Sequence, residues 1–233
     1  MRRIRELIAA VEEAHPKDRF FANIDTTLQT SPQARAQYRA YSRALNCLDA
    51  QSWTEIKDKA ARHFLNHRKG QLKQGFFNQL NEAFAYEHLA RRGYGNVRIL
   101  REDGKTKPDI EYWEGRERRY CEVKTIGISD EQLARWREVR AFSGSTYSEL
   151  SAGFLNKLSS TMSGAWHQVT SHGKTGMVFL VVLFDDFTLT YYERYRSQIV
   201  ERMKSHDAPT IFAKIGLVGR RRIQKNSPAS LPI

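Results

Sequence analysis

The sequence predicts a mixed α/β protein, a mixed β-sheet core flanked by helices and preceded by a helical N-terminal extension. Three observations carry this. Apolar residues recur at helical spacing through roughly the first seventy positions, short strand candidates bounded by turn residues cluster between 97 and 125, and residues 177–184 are apolar throughout. The last of these has the length and composition of a central strand covered on both faces.

The elements follow in chain order. Ile4, Leu7, Ile8 and Val11 mark a first helix, closed by His15-Pro16. Ser31-Pro32 opens a second, carrying Tyr38, Tyr41, Leu45 and Leu48, and a third runs over about 53–67 with Ile56, Ala60 and Phe64 on one stripe. A longer helix is expected over about 74–92, with Gly93 capping its C-terminus. Strands are expected over 97–100, 109–113 and 118–125. Ser129 and Gln132 have the spacing of a capping box opening a helix to about 139, and another helix covers about 148–169. After the apolar strand come a helix over about 191–204 and a strand over 210–218. The chain thus divides into a helical extension (1–70), an α/β domain (71–219) and a basic tail (220–233) expected to be mobile.

Composition narrows the partners. Lys and Arg number 38 against 26 Asp and Glu over 233 residues, a net charge of +12 with a pI near 9.8. Such an excess favours a polyanion, although charge alone does not separate DNA from RNA or anionic lipid. The longest apolar run falls well short of the roughly 20 residues a membrane-spanning helix needs, so no membrane partner is expected. The N-terminus reads poorly as a secretory signal because Glu12 and Glu13 interrupt it. Cys47 and Cys121 are isolated, without metal-type spacing or a disulfide framework, and a reducing cytoplasm is the expected location.

The residues that carry chemistry lie between 107 and 124. Gly115-Arg116 suits the centre of a two-residue type II′ turn, and a hairpin closed there sets Asp109 directly opposite Glu122. Strand side chains alternate, so Lys124 shares the face of Glu122 while Cys121 and Val123 point away. Two facing carboxylates repel, and a divalent cation between them would reverse the sign. The same residues also suit an ordinary charged hairpin, since Glu111, Glu117 and Arg119 charge it elsewhere.

Pro108-Asp109 followed by Glu122-Val123-Lys124, behind a helix containing Asn81-Glu82-Ala83-Phe84-Ala85-Tyr86-Glu87-His88-Leu89 that leads into Arg92-Gly93-Tyr94, resembles the PD-(D/E)XK nuclease superfamily. The likeness is to members resembling Holliday-junction resolvases, and it covers about residues 74–184. It implies a restriction-endonuclease-like fold and a metal-dependent endonuclease hydrolysing phosphodiester bonds, with DNA the expected substrate. It further implies Asp109 and Glu122 as ligands of Mg2+, for which Mn2+ can substitute. The backbone carbonyl of Val123 would be a further ligand and Lys124 the water-orienting cation. A helix glutamate would complete the shell: the interval to Leu89 favours Glu82, with Glu87 in reserve. In that family dimers often cut both strands, so a homodimer is a possible state.

Other signals have plainer readings beside the functional one. Lys157 is a candidate phosphate contact or a solvated lysine. His63 and His67 have zinc-compatible spacing but lack the adjoining Glu of a metalloprotease helix. Arg91 and Arg92 are candidate nucleic-acid contacts; with the basic stretches 116–119 and 220–222, and Tyr94, Trp113 and Trp136, they suit a groove that tracks phosphates. The alternative function is a non-catalytic nucleic-acid-binding or complex-assembly module on the same fold. The role of the N-terminal helices is left open by their residues.

Overall fold

The computed structural model describes residues 1–67, 72–103, 107–127, 148–173, 175–183, 191–216 and 222–226. Among them six strands form one mixed sheet whose spatial order follows the chain, flanked by helices. The chain divides into two compact units, Met1–Cys121 and Glu122–Ile233. The helix expected over 129–139, with Ser129 and Gln132, and Trp136 lie outside the described residues.

In the first unit, α1 (Arg2–Ala14) buries Ile4, Leu7, Ile8 and Val11, the apolar stripe that predicts it. A short α2 (Ile24–Thr30) follows; it buries no residue, which is why no apolar periodicity announces it. α3 (Pro32–Asn46) starts where expected: the Ser31 hydroxyl accepts the Ala34 amide at 3.1 Å, and proline occupies the first turn. α4 (Ala50–Arg62) is shifted by a turn toward the N-terminus. Asp49 caps it, accepting the Ser52 amide at 2.6 Å, and the helix ends at Arg62 rather than near His67. His63 and His67 therefore do not stack one helical turn apart.

α5 (Gln74–Arg91) is buried from Leu80 to Leu89 without interruption. Its start is fastened by Lys73, in the left-handed region at φ 58°, whose ammonium pairs with Asp18 and lies 3.7 Å from the Phe64 ring centroid. Gly93 (φ 79°) ends the helix as expected. Gly75 must be glycine for a different reason: a Cβ there would lie 2.4 Å from the His63 carbonyl oxygen.

β1 (Gly95–Ile99), β2 (Ile110–Glu114) and β3 (Glu117–Ile126) follow. β2 and β3 pair antiparallel from Ile110↔Cys121 to Glu114↔Glu117, the register the Gly115-Arg116 turn demands. Gly115 has φ 61° and Arg116 has no positive φ, which fits type II′ and excludes I′. The Ile99 amide donates to the Ser52 hydroxyl at 3.1 Å, tying α4 to β1. The helices of the N-terminal extension are therefore part of one compact unit with α5 and the β1–β2 strands.

The second unit holds α6 (Ala152–Thr170), β4 (Gly176–Val182), α7 (Tyr192–Lys204), β5 (Thr210–Ile215) and β6 (Arg222–Asn226). All seven residues of β4 are buried, as its unbroken apolar run predicts. Val178, Leu180 and Val182 pack with Leu158 and Met162 of α6 and Ile199 and Met203 of α7, while Phe179 stacks on Phe212 of β5 at 5.0 Å. β4 and β5 are parallel and β5 and β6 antiparallel. Part of the expected tail is thus a strand: Ile223, buried at 4%, is the one apolar residue that β6 contributes to this core, too little for a sequence pattern to register. No helix of the described residues is long and apolar enough to cross a membrane.

Candidate acidic site

The first unit buries a charged pair. Lys59 on α4 and Glu82 on α5 are 2% and 5% exposed at the side chain, and the Lys59 Nζ lies 3.0 Å from one carboxylate oxygen of Glu82 and 3.3 Å from the other. An unpaired charge at such depth would cost several kcal/mol, so each group requires the other. The pair is not electrically closed. The charges of Asp109 and Glu102 also act on Lys59 and Glu82, each favouring the protonated form.

Burial pushes the Glu82 carboxyl up to about 8; Lys59 opposes that shift, while Asp109 adds to it. Burial pulls the Lys59 ammonium down, but the charges of Glu82 and Asp109 outweigh it and the net direction is up. The two directions pull apart, because a raised lysine presupposes an ionised glutamate. Contact of the ammonium with both carboxylate oxygens is the geometry of an ion pair, and we read the pair as ionised.

Asp109 is positioned by backbone: its carbonyl accepts the Leu100 amide at 2.8 Å, one step beyond the Ile99↔Ile110 pairing of β1 with β2. Glu102 is engaged by His63 Nε2 at 2.8 Å and by Arg62 at 3.2 Å.

The two glutamates weighed on α5 separate cleanly. Glu82 faces Lys59 within the field of Asp109. Glu87, five residues on, is buried between Arg43 at 3.2 Å and Arg91 at 2.9 Å. Arg91 is thus an exposed side chain anchored by Glu87; Arg92 is exposed and Lys157 on α6 half-buried.

In the second unit Glu122 is fully buried and Lys124, two residues on along the same strand face, ion-pairs with it; the Lys124 side chain is 39% exposed. Val123 between them is buried.

Carboxylate oxygens are the donors that magnesium prefers. Among the described residues, no group of three or more His, Cys, Asp and Glu side chains is gathered so that it could hold a metal ion. The cation seated against Glu82 is the Lys59 ammonium.

Sequence reasoning missed Lys59. Its signal was a lysine three residues after Ile56 on a helix otherwise read through Ile56, Ala60 and Phe64, hence a charge at the margin of a buried stripe. Glu102 sits outside any regular element and gave no pattern.

No family model, curated protein or solved structure matches the chain.

Proposed function

We propose that the chain is a magnesium-dependent endonuclease acting on DNA, with a restriction-endonuclease-like core. The observation that carries this reading is the Glu122–Lys124 pair. A fully buried strand carboxylate is held by a lysine two residues on, whose side chain still reaches solvent. On this reading Asp109, Glu122, Glu82 and the carbonyl of Val123 would hold the ion, and the Lys124 ammonium orients the attacking water and offsets developing charge. Magnesium, when bound, supplies a more basic water and neutralises a non-bridging phosphate oxygen. The charge of Asp109 acting on Glu82, and the turn register that matches expectation, support the same assignment.

The test is direct. Plasmid, single-stranded DNA and RNA are incubated with the protein in magnesium or in EDTA, with Asp109→Ala as the contamination control. Cleavage that needs magnesium and disappears in Asp109→Ala supports the reading; cleavage retained in that variant defeats it. Lys124→Ala should lower the cleavage rate by about 10²-fold or more.

A second reading, a non-catalytic nucleic-acid-binding or assembly module, is favoured by one observation. Glu82 is already neutralised by Lys59. It predicts salt-sensitive binding with no magnesium-dependent cleavage.

A further inference from the structure

We propose that one face of the β1–β3 strands in the first unit is a stacking platform for a DNA strand with unpaired bases. The indole of Trp113 takes a base, and Arg98, Arg116 and Arg118 take the flanking phosphates. The inference rests on the nucleic-acid part of the reading above, names the substrate class within it, and requires no bound ion.

The strand register sorts the side chains. Ile99, Ile110 and Tyr112 are buried on one face, and Tyr94 packs against Tyr112 with ring centroids 4.9 Å apart. Directly opposed residues share a face. On the other face, Arg98, Glu111 and Tyr120 therefore form one row, and Gly95, Trp113 and Arg118 form the next.

The second row is open to a planar guest. Trp113 is half-buried, and its ring meets no other ring or cation among the described residues. Gly95, its neighbour on β1, leaves that flank of the indole without a side chain. Backbone conformation does not demand glycine there. Gly95 has no positive φ, and Asn96 (φ 46°) carries the left-handed step of the bulge between Gly95 and Arg98. A Cβ at 95 would meet the Trp113 Cβ at an ordinary 3.7 Å. A strand glycine under no such demand suits the close approach of another group.

Charge is divided between the same two faces. Arg119, opposite Tyr112, is held by Glu114 at 2.6 Å and by Glu117 at 3.0 Å. The exposed side chains of Arg98 and the turn residue Arg116 make no hydrogen bond or ion pair among the described residues. Arg118 is 55% exposed, 4.0 Å from Glu111 and 5.5 Å from the Tyr120 ring centroid. Three guanidinium groups thus outnumber Glu111 around the indole, which complements phosphates on either side of a stacked base. A duplex keeps its bases stacked on each other, so the guest must be unpaired.

The test uses the full chain in EDTA, where a metal-dependent nuclease cuts nothing. Fluorescence anisotropy compares a short labelled thymidine strand, an abasic strand of equal length, which keeps the phosphates and lacks the bases, and a duplex. Wild type should bind the thymidine strand about tenfold more tightly than the abasic one, the worth of one stacked base. Trp113→Ala should erase that preference and leave duplex binding unchanged, whereas Trp113→Phe should keep most of it. Gly95→Leu, which covers the flank of the indole and removes no charge, should also reduce it. Arg98→Gln with Arg118→Gln should weaken both strands alike and flatten the salt dependence. Equal affinity of wild type for the two strands, or none for either, overturns the proposal, and that comparison needs no variant to fold. A Trp113→Ala protein that keeps the full preference overturns it too. Magnesium-dependent cleavage that persists in those cases leaves the nuclease reading standing; a Trp113-dependent preference in a protein that cuts nothing upholds the platform and defeats that reading.

Discussion

Lys59 and Glu82 make one electrostatic unit, and stability should report it. Without divalent ions, Lys59→Met is expected to cost roughly 3 kcal/mol in denaturant unfolding, because it strands a buried carboxylate. Adding Glu82→Gln should return most of that loss, since the remaining pair carries no charge. A second residue-scale prediction concerns Asp18. The hydrogen bond from Lys73 holds its carboxyl below the ordinary value of 3.8. A depressed folded-state pKa gives stability that is present above 3.8 and lost as pH falls through the folded value. The difference in thermal midpoint between wild type and Asp18→Asn should hold steady near neutrality and close in acid; a gap that widens in acid would refute the pairing. At this scale the sequence was legible where a residue sits in a pattern, as Glu122 and Lys124 do two apart on one strand. It was illegible where the partner comes from another helix: nothing local in α4 says that Lys59 meets a carboxylate 23 residues away.

Turns and caps were the most legible elements, because their chemistry is local. Gly115 fixed the β2–β3 register from two residues, and its positive φ makes a further prediction. Nothing lies within 4 Å of an added Cβ, so Gly115→Val should cost about 1–2 kcal/mol through backbone conformation alone, and Gly115→Asn markedly less. Gly75→Ala should be worse despite adding a single methyl group, because the carbonyl oxygens of His63 and Asn66 stand 2.4 and 2.7 Å from where it would go. Unfolding of the two variants in urea tests both, and equal midpoints would contradict the contrast. Elements with little buried apolar surface were hidden. α2 buries nothing, and β6 adds only Ile223 to the core of its unit. α4 was displaced by a turn because the Asp49 cap, not the first apolar residue, decides where the helix begins.

For the whole molecule, a net charge of +12 is the dominant property beyond the fold. If the basic surface meets a nucleic-acid backbone, affinity should fall by about 10³-fold between 50 and 200 mM salt, as expected for some six phosphate contacts. A fluorescence-anisotropy titration across that range checks it, and flat affinity would remove nucleic acid as partner. The parallel pairing of β4 with β5 has a different reach. Parallel neighbours cannot be closed by a tight turn, and here the chain from 183 to 209, including α7, comes between them. During synthesis, a ribosome that has released β4 but not residues 210–215 presents seven core residues with one hydrogen-bonding edge open to any passing strand. Translation pauses within that interval should therefore enrich chaperone-bound and aggregated nascent chains, whereas pauses after residue 226 should not.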